Sequence, residues 1–382
     1  MDCIVIGLTG PFGSGCTYIA RRILEPAGYG VISLSSIIQR SPDLGSDLSV
    51  CSRGELQTAG ERLRQEHGPD ILAKHALEIM AKHPDVERWV VDGITSPCEA
   101  IFLSQKFRSF YLVSIYADAE LRWRRVTRLY RGDRRTFELE ELDEMEGADG
   151  YGPRVADCHA MADAVIVNEG NSLTSIVDTG LEWKTNRLAS FFEHRQEFSP
   201  SALETLMATA YMQSKRSTCT SRKVGAVIAD SGGNIISSGY NAVLDRNETC
   251  EQNGGCLRQV MWLQTEQLIE ALIGEQASRS VSSMLRKRYR NLDYCPALHA
   301  EEKAILNIAL HGNSIALRDA TLYATTFPCN MCAKTIGHMG ICRVVFMENY
   351  PMSIAHHMLK DIGVELTPFE GITHIGQGHL SC

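Results

Sequence analysis

One imidazole, one carboxylate and two thiols stand in two short blocks, His299-Ala300-Glu301 and Pro328-Cys329-Asn330-Met331-Cys332. A zinc ion that keeps an open position takes three protein ligands and a water. His299, Cys329 and Cys332 are the candidate ligands. Such a metal lowers the pKa of its water to about 7, so hydroxide is available at neutral pH. Glu301 stands two residues from the histidine, so it can lie beside the metal without binding it. It is then placed to take the water's proton and pass it to a leaving nitrogen. The competing reading is a structural zinc knot. A lone C-x-x-C would not separate the two, whereas H-x-E followed by P-C-x-x-C favours chemistry.

The elements that must position these groups are legible around them. Glu301 to Leu306 reads as a helix opening at His299, and Asn330 to Met339 as a second helix behind Pro328-Cys329. Both blocks therefore sit at helix N-termini, which favour thiolate and carboxylate. Lys223–Ala229, the turn Asp230–Asn234 and Ile235–Tyr240 form a β-hairpin signal, with Asn241 next. Ala320–Ala324 and Arg343–Met347 are further strands. Ser199-Pro200 and Ser201-x-x-Glu204 start a helix that runs to about Gln213. A three-layer α/β/α sandwich follows. The combined motif is the signature of zinc-dependent nucleobase deaminases.

The first half carries a different pattern. Cys3–Leu8 is an apolar run suited to a buried parallel strand. Gly10-Pro-Phe-Gly13-Ser14-Gly15-Cys16-Thr17 follows, then a helix from Tyr18 to Leu24. Such a loop can curl its backbone N–H groups around phosphate oxygens. Gly10, Gly13, Ser14, Gly15, Cys16 and Thr17 are the candidate nucleotide-binding residues. The lysine position of a P-loop is Cys16, so the usual contact to the β- and γ-phosphates is missing. Trp89–Gly93 is a second buried strand, and Asp92 at its end is placed to meet Mg²⁺. A helix-capping aspartate is the plainer alternative. Phe110–Tyr116 and Ala164–Asn168 are further strands. The arginines between them (Arg122, Arg124, Arg125, Arg128, Arg131, Arg134 and Arg135) either clamp phosphates or form a solvated helix face. Alternating strands and helices imply a doubly wound parallel sheet.

Composition sets limits. The chain has 382 residues, 44% hydrophobic and 22% charged, which suits two globular domains. We expect residues 1–185 and 201–382 to form them, with a linker at 186–200. The net charge of -8 argues against a general nucleic-acid footprint. No apolar span is long enough to cross a membrane, and the first residues lack a signal peptide's basic start. Thirteen cysteines in such a chain read as metal ligands and small core residues in a reducing cytoplasm.

Two resemblances follow from these motifs. Ile6–Gly15, Val90–Gly93 and Met161–Asn168 make residues 1–185 similar to the P-loop nucleoside-monophosphate kinases and dephospho-coenzyme-A kinases. Arg222–Ile228, Ser238–Asn241, Cys295–Glu301 and Phe327–Lys334 make residues 201–370 resemble the deoxycytidylate deaminase branch of the cytidine deaminase fold. That second resemblance implies zinc ligands at His299, Cys329 and Cys332 and a proton shuttle at Glu301. It implies substrate contacts at Asn241 and at the Ala300 backbone. It also implies oligomers, commonly hexamers, and control by nucleotides such as dCTP and dTTP. Lys303 stands where the family has asparagine, and Ala242-Val-Leu-Asp245 replaces its effector-loop sequence. Cys219, Cys250, Cys256 and Cys295 are candidates for a second, closed zinc site, with buried thiols as the alternative. Arg286-Lys-Arg-Tyr-Arg290 either holds a di- or triphosphate or simply faces water.

The leading expectation is hydrolytic deamination of free deoxycytidine nucleotides, dCMP or dCTP or both. The first domain would bind a regulatory nucleotide such as dTTP, dCTP or ATP without turning it over. The domain order resembles bacterial anti-phage deaminases that deplete deoxycytidine nucleotides. A polynucleotide-editing deaminase is disfavoured by the acidic charge and the lack of an aromatic-basic strip. A bifunctional kinase–deaminase is disfavoured by Cys16. A nucleotide-sensing partner protein with a relic zinc site is disfavoured by the intact catalytic set.

Overall fold

The computed structural model describes residues 3–40, 53–146, 151–170, 179–194, 199–244, 248–274, 278, 281–282, 285, 295–310, 317–348 and 354–373. The basic run 286–290 lies outside them. The chain divides into two compact units. Met1–Ser201 and Pro368–Cys382 form one, and Ala202–Thr367 the other.

The first unit is built on a sheet of order β13-β5-β4-β1-β3-β2. Its strands are β1 (Ile4–Thr9), β2 (Gly30–Ser33), β3 (Arg88–Asp92), β4 (Ser109–Tyr116), β5 (Ala164–Val167) and β13 (Gly371–Ile372). The first five are parallel, as short apolar runs buried on both faces require. Alternation along each strand splits the core in two. Val5, Val91 and Leu112 pack into one cluster, and Ile6, Val90, Tyr111 and Val113 into the other. Helices cover both clusters. Those needed below are α1 (Cys16–Ile19), α2 (Leu34–Gln39), α3 (Arg53–His67), α4 (Ile71–Ala81), α5 (Pro97–Lys106), α6 (Ala119–Val126), α7 (Arg134–Glu146), α8 (Val155–Met161) and α9 (Thr179–Glu193). The chain after α1 widens into a π-helix over Ala20–Leu24. At the start of α5, Glu99 closes a capping box with Ser96 and also holds the buried Arg64 guanidinium, at 2.8 Å.

Two boundary expectations are corrected. Residues 186–193 are not linker but the second half of α9, whose Leu181, Ala189, Phe191 and Phe192 are buried in the core. Phe192 stacks on Tyr111 of β4 with ring centroids 4.1 Å apart. The helical face was hidden because two adjacent phenylalanines blur a 3.6-residue period. The end of the chain also departs from the expected 201–382 domain. Gly371 and Ile372 pair antiparallel with Val165 and Ala164 of β5.

The second unit has a five-stranded sheet of order β12-β11-β10-β6-β7. These are β6 (Gly225–Ala229), β7 (Ile235–Tyr240), β10 (Thr321–Thr326), β11 (Arg343–Glu348) and β12 (Glu365–Pro368), with β8 (Ala242–Val243) and β9 (Ala297–Leu298) paired beside them. The hairpin β6–β7 turns where Asp230 accepts from the backbone N–H groups of Gly232 and Asn234. Helices lie on opposite faces of the sheet. An added Cβ at Gly225 would meet Ala210 O of α10 (Ala202–Ser214). One at Gly239, on the other face, would meet Ala300 O of the helix Ala300–Leu310. Both glycines let backbone approach backbone. Among the described residues no helix is long and apolar enough to cross a membrane.

Candidate active site

The two motif blocks meet at the N-termini of two helices. His299 precedes Ala300–Leu310, and its carbonyl accepts the first helical bond from Lys303 N–H at 2.8 Å. The Glu302 carboxylate reaches back to the His299 N–H at 3.4 Å, which fixes the start of the helix. Cys329 caps Asn330–Met339, its carbonyl accepting from Ala333 at 2.8 Å. Asn330 in turn accepts the Ala355 N–H at 2.9 Å and ties down the following helix, Ile354–Asp361.

The donor atoms converge. The Cys329 and Cys332 sulfurs lie 3.3 and 3.4 Å from His299 Nδ1. Among the described residues, theirs is the group of three His, Cys, Asp or Glu ligand atoms all within 4.8 Å of one another. One imidazole nitrogen and two sulfurs at this spacing fit a zinc ion with a fourth position left open. Within the trio the negative charge is gathered on one sulfur, since the Cys332 thiol is pushed up by Cys329 while Cys329 is held down. Hydrogen bonds from Cys332 and His299 hold the Cys329 thiol down at about 4. The neighbouring sulfur pushes His299 up to about 9. Glu301 is 4% exposed, and burial pushes its carboxyl up to about 7. A carboxyl that changes state near neutrality is suited to move a proton in both directions.

Asn241 is brought to the same end. The β8–β9 register sets Ala242 against Leu298, which brings the preceding Asn241 and the following His299 to the same end of that ladder. The Asn241 side chain is bound into the chain: Oδ1 accepts from Val224 N at 2.7 Å and Nδ2 donates to Arg222 O at 2.8 Å. The structure thus gives it a bracing role that the sequence reading lacked. Ala300 is fully buried. The four further cysteines do not close to the spacing of the first trio. They are neighbours nonetheless, because the Cys250 thiol is pushed up by burial and then by Cys219, Cys256 and Cys295.

In the first unit the glycine loop links β1 to α1. Gly13 and Gly15 have φ of +82° and +105°, and a Cβ on Gly15 would stand 2.4 Å from Asn168 Nδ2. The loop carbonyls are taken from behind. Arg125 donates to Gly13 O at 2.9 Å and Ser14 O at 3.2 Å, and Asn168 to Ser14 O at 2.7 Å. Thr17 donates to Asp92 at 2.8 Å, so these two candidates do meet. Burial, with Asp92 beside it, pushes the Cys16 thiol far up, so the lysine position is neutral. Several of the arginines between these strands are held by the chain itself. Arg125 braces the loop, Arg122 pairs with Glu141, and Arg124 and Arg134 pair with Glu120.

Known proteins bear on both units. A family model described as the cytidine and deoxycytidylate deaminase zinc-binding region matches residues 200–348. The deoxycytidylate deaminase of Enterobacteria phage T2 is 33% identical over 170 residues, 42% of this chain and 89% of that protein. The solved dCMP deaminase of cyanophage S-TIM5, in complex with dCMP and dUMP, shares 24% identity. It covers 45% of this chain and 100% of its own, with a TM-score of 0.32. The deoxycytidylate deaminase of Schizosaccharomyces pombe is 30% identical over 369 residues, 95% of this chain and 97% of that protein. A likeness that runs through nearly all of both chains, with the zinc-binding region in its place, makes this chain a member of the deoxycytidylate deaminase family, an enzyme of the hydrolase class.

Proposed function

We propose that the chain removes the C4 amine from free deoxycytidine nucleotides, dCMP first and dCTP as well, to give the uracil nucleotide and ammonia. The observation that carries this is the convergence of His299, Cys329 and Cys332 beside a buried Glu301. When bound by those three, zinc supplies the Lewis acidity that makes a water a usable nucleophile at neutral pH. Glu301 takes a proton from a water as its oxygen adds to C4, and passes that proton to N3 of the ring. Glu301 then takes the second proton from the new C4 hydroxyl and delivers it to the amine; the C4–N bond breaks, the C4 carbonyl forms, and ammonia leaves. Asn241 fixes the loop against which the sugar rests, and Ala300 N–H lies at the base position. The relatives named deoxycytidylate deaminase support the monophosphate as substrate.

Three further readings belong to the same proposal. The first unit binds a regulatory nucleotide (ATP, dCTP or dTTP), with Mg²⁺ at Asp92, and does not turn it over. The nearness of Cys219, Cys256 and Cys295 to the Cys250 thiol supports a second, structural zinc. A homo-oligomer is supported by the helix Leu257–Ile273, which buries none of its residues and leaves Leu268 and Leu272 66% and 83% exposed. The test is product analysis with equimolar dCMP and dCTP, with and without dTTP. Formation of dUMP supports the central reading. Loss of dCTP as well would extend the role to depleting deoxycytidine nucleotides, as phage defence requires. Reaction on an oligonucleotide with neither free nucleotide consumed would refute it.

A further inference from the structure

The glycine loop has no cation of its own at Cys16, yet besides Arg125, which braces its carbonyls, two further arginines reach it at Phe12. The Arg53 guanidinium, at the start of α3, lies 4.1 Å from the centroid of the Phe12 ring. It pairs with Glu144, approaches Glu140 at 3.7 Å, and donates to the Tyr130 hydroxyl at 3.1 Å. Arg122 donates to Phe12 O at 3.3 Å and pairs with Glu141. All three carboxylates belong to α7. Glu144 goes beyond ion pairing, because its Oε2 accepts the backbone N–H of Phe12 at 2.9 Å. It also lies near enough to Cys16 to add to the upward push on that thiol. Glu141 and Glu144 are 4% and 7% exposed. A carboxylate held between a backbone N–H and an arginine uses the partners a phosphate would use.

We propose that this is a phosphate site closed by the chain's own side chains. Glu144 is a built-in anion that the terminal phosphate of a nucleoside triphosphate displaces, and Arg53 and Arg122 then supply the charge that Cys16 does not. The inference rests on reading the first unit as nucleotide-binding. It adds the residues that take the phosphate and the element that must move. On binding, α7 loses its tethers at Glu140, Glu141 and Glu144 together, so occupancy of the loop is converted into release of one helix. The affinity measured for the intact chain is the intrinsic affinity multiplied by the fraction of time the site stands open.

The test is equilibrium dialysis of ATP against the full chain, with inorganic tripolyphosphate as competitor. Glu144→Gln keeps an acceptor for the Phe12 N–H and removes the charge. It should bind ATP about tenfold more tightly or better. Glu141→Gln, which frees Arg122, should act in the same direction. Adding Arg53→Met to Glu144→Gln should abolish the gain, with thermal unfolding of each variant measured alongside. Tripolyphosphate should displace ATP. Parent and Glu144→Gln binding ATP equally, or an Arg53→Met double variant that keeps the gain, would overturn the inference and leave the nucleotide reading standing. Absence of ATP and tripolyphosphate binding in both proteins would overturn the two together.

Discussion

Gly239→Ala is a small perturbation with a large expected effect. The added Cβ would stand 2.3 Å from Ala300 O, 2.6 Å from Ala304 N and 3.1 Å from Ala304 Cα. All three are backbone atoms of the helix that begins at His299, so no side chain can swing aside. To restore ordinary contact the helix must withdraw from β7 by about 1 Å, and close-packed interiors transmit such a shift. Overpacking of this kind destabilises by about 1–3 kcal/mol. The same movement carries His299 and Glu301 away from Cys329 and Cys332. A misplacement of about 1 Å at reacting groups lowers rates by about 10²-fold. Gly232→Ala in the β6–β7 turn is the control, since its Cβ would meet only side-chain atoms, the Asn234 amide at 3.2 Å and the Asp230 carboxylate at 3.3 Å. Urea unfolding, zinc content and dCMP turnover should be measured on both. If Gly239→Ala matches Gly232→Ala in stability and in turnover, the argument that backbone contact at β7 positions the zinc-binding helix is wrong.

Glu301→Gln should keep its zinc while turnover falls by about 10²–10⁴-fold, because only the proton transfer is removed; turnover within a few-fold of the parent would exclude Glu301 as the shuttle. Metal analysis should give two zinc ions per chain, falling to one in Cys256→Ser; one ion in the parent would dismiss the second site. Glu99→Gln should cost about 3–5 kcal/mol in urea melts, because Arg64 at 4% exposure keeps its charge and loses its carboxylate. A loss under about 1 kcal/mol would mean that the guanidinium finds water or another partner.

The candidate zinc ligands were readable because their chemistry lies in short local patterns. His299 and Glu301 are two apart, Cys329 and Cys332 three apart, and each pair opens a helix that the sequence marks. The parallel strands were readable for a similar reason: Ile4–Thr9 and Ser109–Tyr116 are apolar runs of strand length. What escaped was long-range. Arg53 and Glu144 stand far apart in the chain, and neither belongs to a motif. The bracing of the glycine loop by Arg125 and Asn168 likewise joins residues from three separate segments. The role of Asn241 was half visible: its place after the hairpin was marked, but its bonds to Arg222 and Val224 depend on how the chain folds back. Helix α9 was missed because Phe191 and Phe192 are both buried, which no single helical stripe explains.

The short strand Gly371–Ile372 has a consequence for how the protein is made. It is held to β5 by pairing, by Thr373 N–H on Asp163 O at 2.9 Å, and by the 2.8 Å ion pair of Glu370 with Lys184. Yet β5 ends at Val167, and its partner strand is synthesised about two hundred residues later. During translation the ribosome therefore releases a nearly finished parallel sheet whose outer strand presents bare N–H and C=O groups. Such an edge is a template for pairing with another nascent chain. The deaminase half must emerge in full before that edge can be sealed. Chaperone demand should thus be concentrated in that interval, and a chain cut just before Gly371 should behave worse in expression than the loss of so few residues suggests.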